Sequence, residues 1–243
     1  MKRTFRLFFG LALSLAFGLT VFAQETSRNS LRDQLEAKRA ELATLEKEFL
    51  EPTAEDRAQF ATLLSEPNTG LIRLLPREKF DSSIVKDKTK TLMTKGGGAY
   101  YSFKRSTHEY GYGSDIELSS NHLSVGFAGY DYGMMLKLGD IGLEDLTLQL
   151  PAVRTLLDYT PAKTEADART EHRKFGMGAD VQGFVFKDRL PLEINTTYLL
   201  RSLTYPDSDI AVAFRVVRKD TDDSVIVAFK VLKDFSTPKS AAR

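Results

Sequence analysis

Cysteine and tryptophan are both missing from the 243 residues. Without cysteine there is no disulfide, thiolate nucleophile, iron–sulfur cluster, cysteine-ligated zinc or lipid-modified amino-terminal cysteine, so the fold must rest on its core. Without tryptophan, the largest flat surface on which a sugar ring could stack is gone. An excess of charge is missing too, with 34 Lys and Arg against 33 Asp and Glu. Phosphate backbones are bound by a concentrated surplus of cations, so nucleic acid is not an expected partner.

Recognisable catalytic motifs are equally scarce. There is no Gly-x-Ser-x-Gly elbow, no His-Glu-x-x-His helix and no dinucleotide glycine pattern. The run Gly96, Gly97, Gly98 is followed by aromatic strand residues where a phosphate loop needs Lys and Ser or Thr. Ser83 to Lys86 matches Ser-x-x-Lys and Ser119 to Asn121 a companion motif of penicillin-interacting enzymes, but the third element, Lys-Thr-Gly, is absent. "DTDDS" at 220–224 imitates the start of a calcium loop, yet Val225 and Val231 stand where that loop needs glycine and glutamate, so a hairpin turn is expected.

What is present begins with one long apolar run. Lys2, Arg3 and Arg6 precede an apolar or small stretch from Leu7 to Ala23, with small residues at Val21 and Ala23. This pattern predicts a signal peptide over 1–23, cleaved near Ala23, and an exported protein that is periplasmic or extracellular. If the segment is not cleaved, it is the chain's one route to membrane attachment. Losing those three cations leaves the basic residues two short of the acidic ones.

From 24 to 66 the pattern is helical. Leu31, Leu35, Leu42, Leu45 and Phe49 repeat at alternating spacings of four and three, broken only by Lys38, which predicts an amphipathic helix and possible self-association through 31–49 as a short coiled coil. Pro52 ends it. Thr53, with Asp56 three residues on, caps a second helix carrying Phe60, Leu63 and Leu64, which completes a helical hairpin.

Residues 70–236 read as a β-rich body. Ile116 and Leu118 alternate before a turn at "SSNH", and Leu123, Val125 and Phe127 alternate after it. Ile210, Val212, Phe214 and Val216 answer Val225, Val227, Phe229 and Val231 across a second turn. A helical and polar excursion falls at about 151–175, with Pro151 as an opening residue and a nearly apolar-free run, 160–174, that would form a solvated helix or a lid. Residues 237–243 look like a frayed tail. The expected fold is α+β: an N-terminal helical hairpin followed by a mainly antiparallel β-sandwich or partly open β-barrel.

Between 96 and 142 lie 10 of the 16 glycines and six of the nine tyrosines. A strand's period of two would put Tyr110 and Tyr112 on one face, and Tyr130 and Tyr132 on another, with glycines opposite. Together with Tyr101, these tyrosines are the expected ligand surface, suited to a glycan, a lipid or an envelope protein. A possible divalent metal would be held by His108, Glu109, Asp115 and His122, if the strands carrying the two histidines pair; no other cofactor is implied. The expected function is a non-catalytic binding or scaffolding module. A metal- or carboxylate-dependent hydrolase centred on His108 and His122, and an envelope structural protein self-associating through the first helix, are the two alternatives.

Overall fold

The computed structural model describes residues 28–108, 110, 113–127, 131–205 and 207–236. The expected signal segment and the tail at 237–243 lie outside them. The chain divides into two compact units, Met1–Lys47 and Glu48–Arg243. Residues 28–50 are helical (α1), as the leucine spacing requires, and no helix among the described residues is long and apolar enough to cross a membrane.

In the larger unit, helices α2 (Ala54–Gln59) and α3 (Ala61–Leu64) precede the first strand. Thr53 caps α2 as its sequence requires: its hydroxyl accepts from the Asp56 amide at 3.2 Å, and Asp56 accepts from the Thr53 amide at 3.1 Å. Asp56 also holds the Arg218 guanidinium, fastening this short helix to the sheet.

The centre is a five-stranded antiparallel sheet formed by β1 (Thr69–Leu74), β5 (Tyr132–Gly139), β9 (Thr196–Thr204), β10 (Ser208–Lys219) and β11 (Val225–Asp234). Its order is β1-β11-β10-β9-β5, so β1 and β5 are its outer strands, β5 carrying one isolated bridge from Met135 to Lys187, and the sheet does not close into a barrel. Both of its faces are covered. One packs on a four-stranded sheet ordered β2 (Tyr100–Tyr101), β3 (Ile116–Ser119), β4 (His122–Ser124) and β8 (Arg189–Pro191). The other packs on α5 (Pro151–Asp158), α6 (Glu165–Met177) and the small hairpin of β6 (Ala179–Val181) and β7 (Phe184–Phe186).

Side-chain size explains the two layers. Along β10, the large residues Ile210, Val212, Phe214 and Val216 point to the smaller sheet, while Ala211 and Ala213 point to the helices. The expected turn between β10 and β11 is present: Asp222 accepts from the Ser224 amide at 3.0 Å, and Arg73 donates to Asp222 at 2.7 Å.

The glycine triplet serves the fold. Gly96, Gly97 and Gly98 all have positive φ, and a Cβ on Gly97 would lie 2.3 Å from the Phe80 carbonyl carbon. Only glycine lets this turn run behind α4 (Arg77–Phe80).

The polar run at 160–174 is a packed helix. Thr164 caps α6, and although most of α6 is solvated, Ala168 and Phe175 enter the core.

Candidate functional site

The structure separates the residues expected to form a tyrosine surface. Tyr101 is buried between the two sheets, edge-on to Phe103 at 5.4 Å and to His108 at 5.1 Å. Tyr132 is buried on the opposite face of the central sheet, under the helices. Tyr110 is 37% exposed, lies outside any strand and packs edge-on against Tyr100 at 4.7 Å. Tyr112 and Tyr130 lie outside the described residues. Tyr101 and Tyr132 therefore share no surface, because alternation places residues within one strand and says nothing about which layer covers each face.

The expected metal ligands are also dispersed. His108 donates from Nε2 to the Arg73 carbonyl at 2.7 Å, and burial lowers its pKa, which keeps the ring neutral. His122 donates from Nδ1 to the Ser120 carbonyl at 2.8 Å. Asp115 is wholly buried and accepts from the Phe103 amide at 2.7 Å. Glu109 lies outside the described residues, and among the described residues no three His, Asp or Glu side chains are grouped to hold a metal.

The chemistry of the molecule concentrates elsewhere, on the helix-covered face of β9. Arg201, on that strand, is 1% exposed; Ala211 of β10 is its direct partner in the ladder, and Asp209, opposite Leu203, is its diagonal neighbour. Its Nε and Nη2 each donate to one Asp209 carboxylate oxygen at 2.9 Å. Nη1 donates to the Leu156, Leu157 and Tyr159 carbonyls at 3.0, 3.3 and 2.7 Å. Those are carbonyls from the last turn of α5 and its cap, which have no partners within the helix, and a cation at this end also suits the helix dipole. The Phe235 ring covers the guanidinium, 3.9 Å from its centre.

Arg201 thereby fixes the start of the strap between α5 and α6, residues 159–163. Two tyrosines fix its middle: the Ala162 amide donates to the Tyr132 hydroxyl at 2.8 Å, and the Tyr205 hydroxyl donates to the Ala162 carbonyl at 2.7 Å. The Tyr159 oxygen lies 2.8 Å from a Glu171 carboxylate oxygen and 3.1 Å from the Tyr132 oxygen. A carboxylate can only accept, so the Tyr159 proton goes to Glu171 and Tyr132 supplies the proton between the rings. Burial, then the neighbouring tyrosine, pushes the pKa of Tyr159 and of Tyr205 far up, and both stay protonated donors at ordinary pH. Behind them, Asp131 accepts from the Tyr205 amide at 2.8 Å, and burial pushes its carboxyl up to about 6.

An open cleft of about 770 Å³ lies beside this strap, a volume in the range of small-molecule sites. Tyr159, Pro161, Ala162 and Phe235 give it apolar walls, the Arg201–Asp209 pair contributes to its lining, and Lys163 and Lys233 complete it. Among the described residues the lining contains no histidine. A second cleft of about 500 Å³ uses the same strap residues and adds Asp167, Glu171 and Lys174. There Glu171 is held by Lys174 at 3.1 Å and by Tyr159, and Asp167 by the Thr164 hydroxyl at 2.7 Å.

Arg201, Asp209 and Phe235 had only a faint signature in the sequence: a lone arginine within "TTYLLRSLT", at the same phase as Leu199 and Leu203. That phase is informative only once both faces of the strand are known to be covered. Comparison of the chain with protein-family models, with curated proteins and with solved structures found no match.

Proposed function

We propose that the protein is an exported, non-catalytic binding module and that its ligand site is the cleft beside the 159–163 strap. The observation that carries this reading is the combination of aromatic walls with a backbone already tied down by Arg201, Tyr132 and Tyr205. A site held in shape before binding loses less freedom when a ligand enters, so a modest number of contacts gives useful affinity. The tyrosines of the 96–142 region contribute indirectly: Tyr132 holds the strap in place.

Amide chemical-shift mapping against a small-fragment collection tests the proposal on the chain starting at Gln24. Shifts should cluster at 159–163, 201 and 233–236, and Phe235→Ala should weaken binding about tenfold, the typical size of a buried aromatic contact. Shifts scattered over the surface would remove the cleft as the site. Export is tested separately by mass spectrometry of the protein made with its full leader; an extracytoplasmic product beginning at Gln24 is expected.

A second reading, an envelope structural protein self-associating through residues 31–49, is favoured by the exposure of the heptad stripe. Leu31, Leu35 and Leu45 are each more than half exposed. The mass in solution decides it, a dimer being expected and a monomer excluding it.

A further inference from the structure

We propose that the ligand of this cleft is an organic anion, an aromatic or other apolar body carrying a single carboxylate-like or sulfonate-like group. The proposal rests on the binding reading above and adds a charge to it.

The charges lining the cleft are Arg201, Lys163, Lys233, Asp209 and Asp234. Arg201 and Asp209 neutralise each other through two parallel hydrogen bonds. Asp234 is neutralised by Lys104, which pairs with it from the loop after β2. Lys163 and Lys233 remain. Both are exposed, neither has a carboxylate partner among the described residues, and Lys233 lies 4.5 Å from the centre of the Phe235 ring. The cleft therefore carries two uncompensated cations beside an apolar wall, an arrangement that attracts an anion and gives its hydrophobic part somewhere to lie.

The same inventory excludes other ligand classes. A metal cation has no free carboxylate here, since Asp209 and Asp234 are both paired. The Ala162 amide of the strap is spent on Tyr132 and is not offered to a phosphate. Arg201 is a poor clamp for the ligand, as three carbonyls and one carboxylate already occupy it. The two lysines are left as the groups that read the charge.

Two fluorescent probes of similar ring structure separate charge from shape: 8-anilinonaphthalene-1-sulfonate, an anion, and N-phenyl-1-naphthylamine, which is neutral. The chain from Gln24 should bind the anion saturably, and Lys163→Gln with Lys233→Gln should weaken it by about tenfold or more while changing the neutral probe by less than about twofold. Both lysines are exposed, so the double variant should keep the parent's melting temperature, which removes misfolding as an explanation. If the double variant leaves anion binding unchanged while Phe235→Ala weakens both probes, the anion inference fails and the binding reading stands. If neither probe responds to Phe235→Ala, both fail.

Discussion

The two faces of the central sheet bury polar groups in opposite ways. Towards the helices, small side chains, Ala211, Ala213 and Ala228, let α5 and α6 sit close, and the buried Arg201–Asp209 pair lies fully bonded among them. Towards the smaller sheet the residues are large, with Phe214 stacked on Tyr198 at 5.1 Å; the Tyr198 hydroxyl is well bonded, to the Pro191 carbonyl and the Glu193 amide, but two other polar atoms are not. Asp115 Oδ1 and Ser202 Oγ are both buried there without a well-formed hydrogen bond. The first face uses a charge to terminate a helix and shape a cleft; the second is a packing surface that tolerates one ill-placed carboxylate.

That contrast can be broken most forcefully at Asp209 and Phe214. Asp209→Ala should cost on the order of 3–5 kcal/mol, because it leaves the Arg201 cation buried without a counter-charge. Phe214→Ala should cost a similar amount, about 3–5 kcal/mol, through lost burial and the cavity left behind. Denaturant melts measure both losses, and hydrogen exchange separates their causes. Exchange should quicken at residues 156–162 in the Asp209 variant only. Equal quickening in both would mean that the strap depends on general packing and not on the arginine.

A smaller effect sharpens the comparison from the other side. Burial pushes the Asp115 carboxyl up to about 6, against the lowering influence of Ser202 and the Phe103 amide. The folded protein thus holds this proton to higher pH than the unfolded chain does. The contribution of Asp115 to stability is greatest below the ordinary aspartate value and is lost as pH rises through about 6, by on the order of 3 kcal/mol. Asp131, also pushed up to about 6, contributes in the same direction. Asp115→Asn should flatten the part of the pH 4 to 7 stability profile that Asp115 causes and leave the Asp131 part. An unchanged slope would show that water already solvates Asp115.

The smallest expected effect lies outside both faces. Thr53→Ala should cost about 1 kcal/mol by deleting one hydroxyl cap on α2, measurable as a shift in the denaturation midpoint. A loss several times larger would mean that the Asp56–Arg218 link to the sheet depends on the cap.

Much of the fold could be read locally. The capping box at Thr53 and Asp56, the hairpins at 116–124 and 210–231, the turn at 220–224 and the helix opened by Pro151 each depend on neighbours close in sequence. Their periodicities are strong because one or both faces are buried. The site was far less visible. Tyr132 is expected as a ligand contact, but its hydroxyl holds the strap; His108 and His122, with Glu109 and Asp115, are expected as metal ligands, but His108, His122 and Asp115 each have a backbone partner of their own. Arg201, the residue that organises the cleft, belongs to an otherwise unremarkable strand.

The order of residues alone determined the elements, their caps and turns, and the absence of cross-links, since these follow from chemistry within a few positions of one another. Tertiary structure alone decided which layer covers each side of β9, and so whether an arginine there meets water or the end of a helix. Arg201 is separated from the carbonyls it caps by more than 40 residues. No periodicity in the chain encodes a meeting at that range; it comes into being only when the layers close.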